Sequence, residues 1–115
     1  MILYTSVGCD IVKISRIKKI LKHKDIYEKV FHKSELEKFD AQHLAGIFAV
    51  KEASFKALDL KNDQWLDIEI VSTENGKPLI KFSNNIDRKT IHSIDVSISH
   101  EDDYAIAIVS VLRNK

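Results

Sequence analysis

Residues 44–58 (LAGIFAVKEASFKAL) constrain this chain more than any other stretch. At about 100° per residue they wind into a helix with two apolar arcs. Leu44, Ile47, Phe48, Phe55 and Leu58 form an arc of large side chains. Ala45, Ala49, Ala53 and Ala57, with Gly46, form an arc of small ones, where a sheet or another backbone can come close. A helix apolar on so many sides belongs inside a fold. Yet Glu52 and Lys56 sit between the arcs, one turn apart on one face, and Lys51 falls near the centre of the large arc. Charges on a buried helix are costly unless paired or put to use. Two readings stay open: a salt bridge at the rim of a core helix plus a snorkelling lysine, or a functional site.

A chain of 115 residues has room for one core, so a single domain over residues 1–115 is expected. Its composition, 44% apolar and 30% charged, is that of a globular protein. A net charge of +1 supplies no global field for nucleic acid or for an acidic substrate. The one cysteine, Cys9, excludes an internal disulfide and a cysteine cluster for zinc, and suits a reducing compartment. MILYTSVGCD lacks a basic leader followed by an apolar run of adequate length, and no stretch is long enough to cross a bilayer. The expectation is a cytoplasmic protein with no membrane or nucleic-acid partner.

In chain order, residues 2–12 are rich in β-branched side chains and predict a strand interrupted by Gly8 and Asp10. A glycine within a strand marks close approach by a ligand or another backbone. An aspartate among apolar neighbours needs a backbone amide, a cation or a metal. Residues 13–24 predict a helix with Ile14, Ile17, Ile20 and Leu21 on one side. Lys13, Arg16, Lys18, Lys19, Lys22 and Lys24 lie on the other, with no acidic residue among them. That face is either solvated or a dock for an acidic partner. Residues 25–42 predict two short helical pieces, with Ser34 and Glu37 spaced as a capping box. The central helix should end near Asp59. Residues 66–73 and 78–83 then alternate as strands around Glu74-Asn75-Gly76-Lys77, a strong hairpin signal. Residues 84–93 are loop-like, and 94–112 predict a second hairpin. In it Ile94, Val96 and Ile98 face one way and Asp95, Ser97 and Ser99 the other, and His100 ends the strand.

Asp10 and Glu52, carboxylates on different elements, suit a hard divalent ion such as Mg²⁺, which completes its shell with water and phosphate. A lysine one turn from such a carboxylate can neutralise a phosphate oxygen. No Walker loop, GxGxxG, HExxH or G-x-S-x-G is present.

Three motifs in order carry a more specific signal: Val7-Gly8-Cys9-Asp10, then FAVKEASFKA over residues 48–57, then Ser97-Ile98-Ser99-His100. Together they resemble the holo-(acyl-carrier-protein) synthases, the small bacterial-type 4′-phosphopantetheinyl transferases. The resemblance extends through FHKSELEKF and Gly76-Lys77-Pro78 to essentially the whole chain. It implies an α+β fold, with antiparallel sheet packed around a central buried helix. It also implies transfer of phosphopantetheine from coenzyme A to a serine of apo acyl carrier protein. By the same resemblance, Asp10 and Glu52 would hold Mg²⁺, Lys56 would sit by the phosphates, and Asp10, Glu52 and Lys56 would form the catalytic set. His100 and Pro78 would lie near the nucleotide, and Arg16 would meet the acidic carrier protein. The resemblance also implies a trimer with active sites at the subunit contacts. A central helix apolar on most sides and a final strand apolar on both faces support that independently.

Two positions depart from the family pattern. Ile47 stands where an arginine is usual, and residues 59–63 replace a glycine-containing segment; both bear on the donor side, where Lys51 and Lys61 are the nearest substitutes in sequence. The competing reading is a non-enzymatic or catalytically weakened binding module that uses the basic first helix on RNA or an acidic protein.

Overall fold

The computed structural model describes residues 2–115. Strand β1 (Leu3–Lys13) leads into three short helices, α1 (Ile14–Ile20), α2 (Lys24–Val30) and α3 (Lys33–Leu36). The long helix α4 (Ala41–Leu58) follows, then a 3-10 turn at Trp65–Asp67. Two hairpins finish the chain: β2 (Ile68–Ser72) with β3 (Pro78–Phe82), and β4 (Ile91–Glu101) with β5 (Tyr104–Asn114). The strands form two antiparallel sheets, one of order β1-β5-β4 and one of β2-β3. This is the α+β arrangement expected from the sequence.

Helix α4 lies across the inner face of the larger sheet because its small residues let it. At Gly8 an added Cβ would fall 1.8 Å from the carbonyl oxygen of Ala53 and 2.9 Å from the amide nitrogen of Ala57. Strand and helix therefore meet backbone to backbone, and only glycine fits. On β5, Ala105, Ala107, Val109 and Val111 turn inward beneath the same helix and are buried. The large arc of α4 faces the other way. Phe48 stacks on Trp65 at 4.9 Å between ring centres, and Phe55 meets the same indole edge-on at 5.0 Å.

Lys51, near the centre of that arc, does not snorkel. Its side chain is fully buried, with Nζ donating to Glu35 Oε1 at 2.8 Å and to the Val30 carbonyl at 2.7 Å. Glu35 also accepts from the amides of His32 at 2.7 Å and Ile70 at 2.8 Å. One carboxylate thus ties α3, α4 and β2 together. Each charge in such a pair is tolerable only with the other present.

Several boundaries differ from the sequence reading. The helix expected over residues 13–24 stops at Ile20, where i→i−3 hydrogen bonds from Lys22 and His23 tighten the chain before α2. The capping box is displaced by two residues: His32 is the N-cap of α3 and Glu35 reaches back to its amide. Ser34 instead donates its hydroxyl to Glu69 at 2.5 Å. Strand β2 starts at Ile68, after the 3-10 turn, and β4 starts at Ile91, three residues before the alternation becomes strict. Both turn signals hold. Asp59 takes the left-handed conformation at the end of α4 (φ 54°), and Gly76 does so in the β2–β3 turn (φ 78°). Among the described residues, no helix is long and apolar enough to cross a membrane.

Candidate active site

Residues alternate across β1, so Gly8 and Asp10 share the face turned towards α4. Where Gly8 lets Ala53 and Ala57 settle on the strand, their helix neighbours Glu52 and Lys56 come to flank Asp10. Lys56 Nζ donates to the Cys9 carbonyl at 2.8 Å and to Asp10 Oδ1 at 3.3 Å. The side chain of Lys56 is 55% exposed and that of Asp10 only 18%. The intrahelical Glu52–Lys56 bridge allowed by their spacing does not form; the lysine turns to the strand.

Glu52 is half-buried, and its carboxyl is held above the usual carboxylate value. Burial is the larger cause and the negative charge of Asp10 the second; Arg16 and Lys56 pull the other way. Arg16 comes from α1, with its guanidinium 5.0 Å from the centre of the Phe48 ring. Asp10, Glu52, Lys56 and Arg16 therefore form one charged group at the crossing of β1, α1 and α4.

Two carboxylates close enough for the charge of Asp10 to raise Glu52, with a lysine already beside Asp10, fit a hard cation. Among the described residues no third His, Cys, Asp or Glu joins them. Such an ion would take its remaining ligands from water and phosphate, as Mg²⁺ does.

His100 and Pro78 lie elsewhere, in a cleft of roughly 640 Å³ between the β2–β3 hairpin, the end of β4 and the first turns of α4. His100 faces inward, opposite to Ser97 and Ser99, and its Nε2 lies 3.1 Å from the Gln42 carbonyl, to which it donates. Gly46 makes room for it: a Cβ there would be 3.2 Å from Nε2. In register, Asp10 pairs with Ala107 and His100 with Ala105, so β5 runs between them, about 10 Å of sheet. The expected site residues thus fall in two groups, and none of Asp10, Glu52 and Lys56 lines the cleft.

Ile47 does line it, and Lys51 does not make up the missing charge there, because it is bound to Glu35 in the core. Sequence reading passed over two other cleft residues, Lys38 and His43. The available signal for His43 was its position four residues before Ile47, on the same helix face.

The model of the 4′-phosphopantetheinyl transferase superfamily matches residues 6–109. A holo-(acyl-carrier-protein) synthase of Campylobacter jejuni is 40% identical over 113 residues, covering 92% of this chain and 98% of that protein. One from Caldanaerobacter subterraneus is 39% identical, covering 89% and 90%. Among solved structures, the Helicobacter pylori holo-(acyl-carrier-protein) synthase in complex with coenzyme A is 38% identical. It superposes with a TM-score of 0.82 over 91% of this chain and 98% of that one. A Bacillus anthracis synthase, also with coenzyme A, gives 30% identity and a TM-score of 0.78 over 95% and 96%. With sequence and fold matched over nearly its whole length, the chain belongs to the 4′-phosphopantetheinyl transferase superfamily, in the family of the holo-(acyl-carrier-protein) synthases.

Proposed function

We propose that the protein moves the 4′-phosphopantetheine arm of coenzyme A onto a serine of apo acyl carrier protein, with Mg²⁺ held by Asp10 and Glu52. The observation that carries this reading is the Asp10–Glu52–Lys56 group at the α4–β1 contact, in a chain of this family. Mg²⁺, when bound, neutralises charge on the pyrophosphate. The carrier's serine oxygen forms a bond to the β-phosphorus, and the bond from that phosphorus to the bridging oxygen breaks. Adenosine 3′,5′-bisphosphate leaves with the electron pair. Glu52 takes the serine proton, directly or through a water. Lys56, more than half exposed and already next to Asp10, turns its ammonium to the phosphate oxygens. Catalysis of this kind is mostly positioning and charge neutralisation, which a few fixed side chains can supply.

The acidic carrier protein meets the basic face of α1, with Arg16 at the point nearest Glu52. Arg16 thereby joins the recognition surface to the reacting group.

The two halves of the site come together in a trimer. The outer face of the β1-β5-β4 sheet is apolar where it should face water: Val7 (59% exposed), Ile11 (61%) and Ile108 (46%) lie together with Ile106 and Tyr104. A contiguous apolar face of this kind is a contact surface, and closed symmetry is the usual way to cover it. Closure on that face sets the cleft of one subunit against the carboxylates of the next, and the site is complete only there. The protein acts without a membrane and in the cytoplasm, where carrier and coenzyme A are available.

The reading is tested by incubating the protein with coenzyme A and an apo acyl carrier protein, with Mg²⁺ or with a chelator, and weighing the carrier. Addition of one phosphopantetheine with Mg²⁺ and none with the chelator is expected. An unmodified carrier in both would overturn the assignment.

A further inference from the structure

Lys56 grips Asp10 in a way that contact with phosphates alone does not require. Its ammonium donates to the Cys9 carbonyl at 2.8 Å and to Asp10 Oδ1 at 3.3 Å, so a backbone oxygen and the next residue's carboxylate hold one charge between them. The carbonyl is neutral: it anchors the lysine without cancelling its charge. That charge also reaches Glu52, where it opposes burial and Asp10. One ammonium is therefore hydrogen-bonded to the first carboxylate and felt by the second. A divalent ion would be drawn to the same place by the same charges, and two cations on one carboxylate repel. Lys56 is also able to leave. Its side chain is 55% exposed, against 18% for Asp10, and it carries a point charge on a flexible stem.

We propose that Lys56 competes with Mg²⁺ for Asp10, and that the donor's pyrophosphate ends the competition by drawing the ammonium away. This rests on the reading of Asp10 and Glu52 as the metal ligands. Without donor, Asp10 and Glu52 are answered by Lys56 and Arg16, so the group is near charge balance and attracts a divalent ion weakly. A pyrophosphate brings negative charge and accepts the ammonium in charge-assisted hydrogen bonds. Asp10 is then released for the ion. Metal and donor are taken up together, each raising the affinity for the other.

The sign separates this role from a structural one. A lysine that only kept the site in shape would weaken metal binding when removed. A competing lysine would strengthen it, and the gain would appear only in the absence of donor.

The test is calorimetric titration with Mg²⁺ of the donor-free wild type, Lys56→Gln, Lys56→Arg and Lys18→Gln. Wild type and Lys56→Gln are titrated again with saturating coenzyme A. Donor-free Lys56→Gln should bind Mg²⁺ about tenfold more tightly than wild type, within the usual range of coupling between sites. Lys56→Arg keeps the charge and should stay near wild type. Lys18 is exposed and makes no ion pair among the described residues, so Lys18→Gln removes a charge from α1 without touching Asp10 and should also stay near wild type. Coenzyme A should tighten Mg²⁺ binding more in wild type than in Lys56→Gln. Donor-free Lys56→Gln that binds Mg²⁺ no better than wild type overturns the inference and leaves the metal site standing. A gain in Lys18→Gln or Lys56→Arg as large as that in Lys56→Gln does the same, as does equal tightening by coenzyme A in both proteins. No Mg²⁺ binding by any of the proteins, with or without coenzyme A, overturns the metal site and the inference with it.

Discussion

At the scale of single residues, Glu52 is where function and stability pull apart. Its folded-state value is raised, so below the unfolded value of 4.5 it is protonated in both states and contributes no difference. Above 4.5 the unfolded state ionises first, so the penalty on folding grows up to the folded value and is complete beyond it. Glu52→Gln is therefore expected to raise the melting temperature of the metal-free protein at neutral pH, with the gain vanishing in acid. The same substitution should lower turnover by at least about 100-fold, the scale of a lost base or charge. Added Mg²⁺ should restore little. Thermal scans at two pH values beside the activity assay check both, and an active, unstabilised variant would contradict them. Arg16 gives a second prediction: Arg16→Glu should raise KM for the carrier several-fold, leave KM for coenzyme A nearly unchanged, and be mimicked by salt. Equal damage to both constants would place Arg16 in the donor pocket. Sequence showed that Glu52, Lys56 and Lys51 were charges on a buried helix. It could not pair them, because their partners Asp10 and Glu35 are distant in the chain.

At the scale of elements, the small-residue arc of α4 decides where the carboxylates meet. Its counterpart is Gly8, where the contact is between two backbones and nothing flexible can give way. Gly8→Ala should therefore lift α4 off β1, cost several kcal/mol in the manner of an overpacked core, and separate Glu52 from Asp10. Denaturant titration and Mg²⁺-dependent activity together measure this; unchanged stability would mean the helix does not bear on the strand there. The helix, its end at Asp59, the Asn-Gly hairpin and the inward alternation of the last hairpin were all legible, because each is a local pattern. The end of α1 at Ile20 was not, since the polar residues after it suit a helix as well as a turn. The shift of the capping box from Ser34 and Glu37 to His32 and Glu35 was also hidden: Glu35 answers to Lys51 and to β2, neither of which is local.

At the scale of the whole molecule, one chain carries two separate groups of candidate site residues and one exposed apolar face. The carboxylates lie at the α4–β1 contact, and the cation-lined cleft lies beyond β5. Sequence motifs named both sets but could not say that the sheet divides them, because strand order is a long-range property. The proposed trimer would join them across subunits, and a mixture of two defective proteins tests that directly. Asp10→Ala and His100→Ala, each inactive alone, are unfolded and refolded together, and the mixture is given coenzyme A, Mg²⁺ and apo carrier protein. The measurement is the intact mass of the carrier. Assembly of the site across subunits predicts that the mixture regenerates holo carrier, from contacts where an intact Asp10 meets an intact His100. An unmodified carrier, from a mixture that has refolded as an oligomer beside an active wild-type control, would contradict it.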